Sequence, residues 1–427
     1  MRWKYVLLGS VAFGLLAAGT VFLLRDHLAD YWIKQQLAAQ LSRALDAEVD
    51  LQGVHWKGGV LQAQRLRMAG EQLPFIRLES RGVRAVVDWR RLLEPAKEPL
   101  HVEIAEADLV WRPPGAQGAG AAAADTAAAQ FPPLDLLVGK LSFRHNDNHD
   151  WSIDNSSVRA VQQGKSWSVS ANGGSLTIGA WPALSVERLS AEHRDGKWNI
   201  GSFALKDGRD GVIAGSASQA GETWSGEFSW QDLDLAALAP PEMAPHLEGT
   251  ASGDAVLKGD VLRGQMKISG ASTKTVSLLV KLASLVGGED WSDVPWQIFR
   301  FDFTRQSDGR VEFSNLQALS PKGIAVRGSG YYTPAGLGAD LQVGIRREGR
   351  SYLGAFVPIL FSHERDGYYW MPVKVGGTLA APTENLSTRI VAALTVAPAA
   401  GAAESAVQIP GAAVEAVGGA LRDLLRR

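Results

Sequence analysis

Three short stretches decide how this chain reads: residues 149–155 "HDWSIDN", 164–173 "GKSWSVSANG" and 195–202 "DGKWNIGS". In each, a turn-like group hands over to a tryptophan, a small polar residue and a β-branched residue. Alternation with period two marks a strand with one apolar and one polar face. Trp151 and Ile153, Trp167 and Val169, and Trp198 and Ile200 then share one side, with Ser152, Ser168 and Asn199 opposite. What covers the tryptophan side is the question on which function turns.

The same texture runs outward in both directions. "AEVDLQGVHWKGGVLQAQRLRMAG" (47–70), "IRLESRGVRAVVDW" (76–89) and "LHVEIAEADLVW" (100–111) alternate in twos, with glycines at 53, 58 and 59 placed for bends or bulges. Residues 132–272 are short alternating runs broken by Asn172-Gly173, Asp195-Gly196, Asp207-Gly208 and Asp210-Gly211. Such dipeptides suit hairpin turns whose central residues take positive φ. Between these regions, "PPGAQGAGAAAADTAAAQ" (113–130) is low in complexity and reads as a flexible loop. "STKTVSLLVKLASLVGG" (272–288) predicts a helix, with Ser272 or Thr273 as its cap and Gly287-Gly288 as its stop. Strands resume after it.

Both ends differ from this pattern. Residues 5–24, "YVLLGSVAFGLLAAGTVFLL", carry no charge and match the length of a membrane-crossing helix. Arg2 and Lys4 precede the run, which keeps the N-terminus cytoplasmic and sends the rest outward. A cleaved signal peptide is the rival reading, because Ala17-Ala18-Gly19 resembles a processing site; the apolar run continues past it and favours an uncleaved anchor. Leu28, Trp32, Ile33, Leu37, Leu41 and Leu45 follow at helical spacing. The tail "IPGAAVEAVGGALRDLLRR" carries Val414, Val417, Leu421, Leu424 and Leu425 along one stripe. The net charge of −2 gives no global reason to expect nucleic acid, and a chain without cysteine has no disulfides, thiol catalysis or thiolate metal sites.

No catalytic constellation assembles. In "HNDNHD" (145–150) two histidines at i and i+4 would suit a metal on a helix, but the Asn and Asp residues between alternating runs favour a turn. "SHERDG" lacks the second histidine of a zinc-protease helix, since Gly367 stands there. Gly164-Lys165-Ser166 lacks the earlier glycine of a phosphate loop, and Ser252 in "GTASG" is one place off a nucleophile elbow. The expectation is a protein that is not an enzyme, with no catalytic, cofactor-binding or metal residues.

Roughly twenty strands against a few helices leave more apolar sheet than the helices can cover. A buried Val, Leu or Trp side chain is worth roughly 1.5–3 kcal/mol, so that face requires a partner: a second sheet, a curl of the same sheet, or an apolar ligand.

At this point the chain resembles the AsmA-like family of bacterial envelope proteins, relatives of the repeating β-groove, bridge-like lipid-transfer proteins. The resemblance lies in the anchor followed by "IKQQLAAQLSRALDAEVDLQGVHWKGGVLQAQRLRM", in "VRAVVDWRRLLE" before "HVEIAEADLVW", and in "DLDLAALAP" before "LEGTASGDAVLKGD". It continues through "VSLLVKLASLV", "GRVEFSNLQALSPKGIAVRGSGYYTPAGLGADLQVGI" and "MPVKVGGTLAAPTENL". The order of these phrases is the stronger signal. The resemblance implies a mainly β fold: an elongated, strongly curved antiparallel sheet, a taco-like groove, with an N-terminal transmembrane helix and a few short amphipathic helices.

The expected layout is an anchor at 1–24, an amphipathic helix at 25–46, a first groove segment at 47–112, the loop at 113–131, the main groove at 132–404 and a C-terminal amphipathic helix at 405–427. The resemblance further implies a protein held in the inner membrane through residues 5–24, its bulk in the periplasm. Its expected partners are phospholipid and an outer-membrane or periplasmic protein, with no nucleic acid. The expected function is lipid transport to the outer membrane or its homeostasis. The alternative is a non-enzymatic scaffold or regulator of outer-membrane assembly. Trp151, Ile153, Trp167, Val169, Trp198 and Ile200 are then the candidates to face lipid in the groove.

Overall fold

The structure, a computed structural model, describes residues 38–389 except 40–41, 43–46, 58, 71–74, 87–99, 112–132, 146–150, 165, 180–181, 196, 222, 240–243, 275–278, 280–290, 347–359, 362, 379–380 and 387. The expected membrane span, most of the helix expected over 25–46, the Ala-rich loop and the C-terminal helix lie outside the described residues. Among the described residues no helix is long and apolar enough to cross a membrane.

The alternating runs form strands that all join one sheet of twenty-three. The first five are β1 (Glu48–Gln52), β2 (His55–Lys57), β3 (Val60–Ala69), β4 (Phe75–Val86) and β5 (Leu100–Trp111). Next come β6 (Leu134–His145), β7 (Trp151–Gln163), β8 (Ser166–Asn172), β9 (Ser175–Ile178), β10 (Leu184–Arg194), β11 (Lys197–Lys206), β12 (Val212–Ala220) and β13 (Thr223–Asp234). A short helix, α1 (Leu235–Leu238), leads to β14 (Leu247–Lys258), β15 (Val261–Lys274), β16 (Asp293–Trp296), β17 (Ile298–Arg305) and β18 (Val311–Leu319). The last are β19 (Ile324–Thr333), β20 (Gly336–Arg346), β21 (His363–Arg365), β22 (Tyr368–Gly377) and β23 (Pro382–Glu384).

Neighbours in sequence are neighbours in the sheet. Four pairs of short strands each share a row: β1 with β2 on β3, β8 with β9 between β7 and β10, β16 with β17 on β15, and β21 with β23 on β22. The twenty-three strands therefore make nineteen rows, which at strand spacing extend about 85 Å.

The sheet is mixed rather than purely antiparallel, which corrects the sequence expectation. β5 and β6 run parallel, from Leu100 beside Leu134 to Trp111 beside His145. A parallel pair needs a crossover long enough to return the chain to the start of the next strand. Residues 112–133 make that connection, so the low-complexity stretch has a topological task.

Two local expectations are also corrected. Ser272 and Thr273 do not cap a helix; they continue β15, opposite Pro295 and Val294 of β16. Ser272 there donates its hydroxyl to Asp293, and Thr273 accepts from the Trp296 indole at 3.1 Å. Likewise neither Gly208 nor Gly211 takes positive φ. The Asp207 carboxylate accepts from the N–H groups of Arg209 and Gly211 at 2.8 and 2.9 Å, a side-chain turn that replaces the hairpin geometry. The Asn172-Gly173 turn does use positive φ, at Gly173 and Gly174. Helix α1 was not legible in the alternation: Asp234 caps it, accepting from the Ala236 N–H at 3.1 Å.

Buried side chains gather at the two ends of the sheet. The first cluster takes Leu51, Leu61, Phe75, Ala85, Leu134 and Trp167 among others, with Ala38 packed against it. The second takes Trp291, Val294, Ile324, Val343, Met371 and Leu386, covered by Leu279, Leu360 and Phe361. The described residues of the rows between them belong to neither cluster, although Leu184, Val186, Leu233 and several alanines there are buried.

Candidate functional site

Residues directly opposite each other in a sheet point their side chains to the same face, so the pairing registers can be followed from strand to strand. One such line starts at Ala63 of β3 and passes through Val83, Ile104, Val138 and Val158. It continues through Ala171, Leu189, Phe203, Gly215 and Phe228. Ala255, Gly264, Phe303, Phe313 and Gly330 extend it, and Ala339 and Val375 end it on β22. Seventeen consecutive rows hold no polar side chain on this line.

The six candidates from the sequence all fall on this same face. Val169 and Ile200 lie on the next line over, which runs from Leu61 through Ala160, Val169, Ala191, Ile200 and Ala217 to Leu262. Ile153 lies on a line at the opposite margin, between Phe143 and Leu176. Trp151 stacks on Phe143 with ring centroids 5.1 Å apart, also at that margin. Trp167 and Trp198 lie at the other margin, joined by His193 between them. The recurrent Trp-x-aliphatic motif therefore puts the indole at an edge of the apolar face and the aliphatic side chain one line further in. Trp151 does so from the margin opposite the other two.

Their environments differ. Trp167 is 6% exposed and belongs to the first core cluster, whereas Trp151, Ile153, Val169, Trp198 and Ile200 are half-buried. Across β11 to β14 most of the large apolar side chains on this face (Phe203, Ile213, Trp224, Phe228, Trp230 and Leu257) are half-buried too, whereas Leu233 is buried. The middle of the apolar face thus keeps its aromatic side chains partly in contact with solvent.

The sequence reading missed Trp224, Phe228 and Trp230. The signal was present in "TWSGEFSW" (223–230), where aromatics alternate with polar residues, but Gly226 takes the place of the β-branched partner. Gly253 lets the Trp230 ring approach: a Cβ there would lie 2.6 Å from the indole. Trp230 in turn meets Phe303 at 6.0 Å between ring centroids.

The opposite face is mainly polar. Gln62, Arg84, Glu103, Leu137, Arg159 and Ser170 follow one another in register across it. Asp135 accepts two hydrogen bonds from Arg159, at 3.0 and 2.9 Å, and meets His101 Nδ1 at 3.3 Å, while His101 Nε2 meets Glu103 at 3.2 Å. The Arg159 hydrogen bonds outweigh partial burial and hold the Asp135 carboxyl below the usual carboxylate range, with His101 adding to them. This network ties β5, β6 and β7 together at the parallel junction. On the apolar face, burial pushes the His193 imidazole below its ordinary value.

Among the described residues no group of three or more His, Asp or Glu side chains is placed to hold a metal ion. Residues 146–150 of the histidine-rich turn lie outside the described residues. No protein-family model, curated protein or solved structure matches the chain.

Proposed function

We propose that the protein holds phospholipid acyl chains against the apolar face of its sheet and so supports lipid movement to, or homeostasis of, an outer membrane. The observation that carries this reading is the seventeen-row apolar line whose middle third keeps Phe203 and Phe228 half-buried, with the half-buried Trp230 on the line beside it. A row of large aromatics left partly in water is unfavourable, and acyl chains would replace the missing cover at roughly 0.8 kcal/mol per methylene. In this reading the sheet curls into a trough, the apolar run at 5–24 anchors it in the inner membrane, and the bulk lies in the periplasm, as in the AsmA-like proteins it resembles.

The two ends of the face are filled by their own side chains, so bound chains would occupy the middle rows. Native mass spectrometry of the full-length chain released from detergent tests this. Phospholipid masses retained on the folded protein support the proposal; protein that is consistently empty after exposure to phospholipid micelles overturns it. A scaffold for outer-membrane assembly is the alternative, and the burial of Trp167 in the first cluster favours it for that end of the sheet alone.

A further inference from the structure

The two margins of the apolar face are built differently. From β7 to β20 one margin consists of short hairpins, at 163–166, 194–197, 220–223 and 258–261 among others, while the other carries α1 and the segments holding Leu279 and Leu360. Trp167, Trp198 and Trp224 each take the first apolar-face position after one of those hairpins. Between them, in register, stand Gln162 opposite Trp167, His193 opposite both Trp167 and Trp198, and Gln219 opposite Trp224. Tryptophans at the boundary of an apolar surface occupy the level at which lipid headgroups lie.

Resting on the lipid-binding reading above, we propose that this row receives the headgroup of the bound lipid, and that the headgroup ends in an ammonium group, as in an ethanolamine phospholipid. The Gln162 side chain donates through Nε2 to the Gly164 carbonyl at 3.1 Å, which fixes the orientation of the amide. Its Oε1 is then a buried acceptor with no partner among the described residues, and the Oε1 of Gln219 is in the same state. Buried acceptors call for donors, and an ammonium offers three. The half-buried indoles of Trp198 and Trp224 along this row attract a cation. Arg194 and Lys197 close the central hairpin on the polar face at the same margin, both exposed, within reach of the phosphate that precedes an ethanolamine. A glycerol headgroup would donate from its hydroxyls but offer nothing to the indoles.

The full-length chain, equilibrated in mixed micelles holding ethanolamine and glycerol phospholipids in equal amounts, is recovered and its bound lipid is counted by mass spectrometry. The expected result is an enrichment of ethanolamine lipid of about five-fold, the ratio one ordinary hydrogen bond supplies. In Gln162→Leu the ratio falls toward that of the micelle. Trp198→Leu, at a half-buried position, lowers the ratio by removing an indole face and serves if the first variant fails to fold. Bound lipid in the micelle ratio on the wild type, or a preference untouched by both substitutions, overturns the inference and leaves acyl-chain binding standing. An empty wild-type protein overturns the lipid reading itself, and this inference with it.

Discussion

Phe203 and Phe228 face each other with ring centroids 6.0 Å apart across Gly215, the residue directly opposite both in the strand between them. A Cβ on Gly215 would sit 3.0 Å from the Phe203 ring and 2.5 Å from the Glu227 carbonyl oxygen. The glycine is therefore required by close approach rather than by backbone conformation. Gly215→Val should destabilise the fold by about 1–3 kcal/mol, the usual cost of overpacking, read from the midpoint of urea denaturation. An unchanged midpoint would show that the two rings are free to move apart.

Burial separates two tryptophans that look alike in sequence. Trp167 lies in a core cluster, so Trp167→Ala should cost about 3–5 kcal/mol and lower the thermal midpoint sharply. Trp198 is half-buried, and Trp198→Ala should cost about half of that while reducing the lipid retained. Equal thermal losses in the two variants would contradict the assignment of an open middle.

The parallel pair depends on its connection. Spanning a twelve-residue strand takes roughly 40 Å, which a dozen extended residues can cover. Deleting 119–124 should leave the circular-dichroism spectrum and the melting temperature unchanged. Replacing 113–131 with four glycines should abolish folding, because β6 could no longer lie parallel to β5. A stable protein with the short linker would show that the β5–β6 pairing is dispensable.

The Asp135 network gives the polar face an acid signature. A carboxyl with a depressed folded pKa adds stability that is fully present above its unfolded value, near 3.9, and is lost as pH falls through the folded value. Arg159→Gln should lower the melting temperature at pH 7, and the gap from wild type should narrow below about pH 4. A gap that stays constant down to pH 3 would mean that Arg159 contributes through packing alone.

The face assignment was legible in the sequence because period-two alternation is strict in strands: Trp151, Ile153, Trp167, Val169, Trp198 and Ile200 all lie on one face, as their spacing predicts. The margin each tryptophan occupies was not legible, since that depends on strand direction. Trp151 opens a strand at the margin opposite Trp167. The parallel β5–β6 pair was hidden because the residues between those strands are a low-complexity stretch of sequence with no strand pattern. Ser272 and Thr273 read as a helix cap because their hydroxyls suit one; Asp293 and Trp296, some twenty residues on, take those hydroxyls instead. Trp224, Phe228 and Trp230 escaped notice because Gly226, where a Cβ would meet the Ser216 carbonyl oxygen and Ala217, stands in the place of the β-branched partner.

Acyl chains on the apolar face are tested most directly by a photo-crosslinking side chain placed at 228 and, as a control, at the adjacent position 227. Phe228 lies on the apolar line, and Glu227 points to the polar face. After irradiation in bacterial membranes, position 228 should carry a lipid-mass adduct and position 227 none. Lipid adducts at both positions alike, or none at 228, would contradict it.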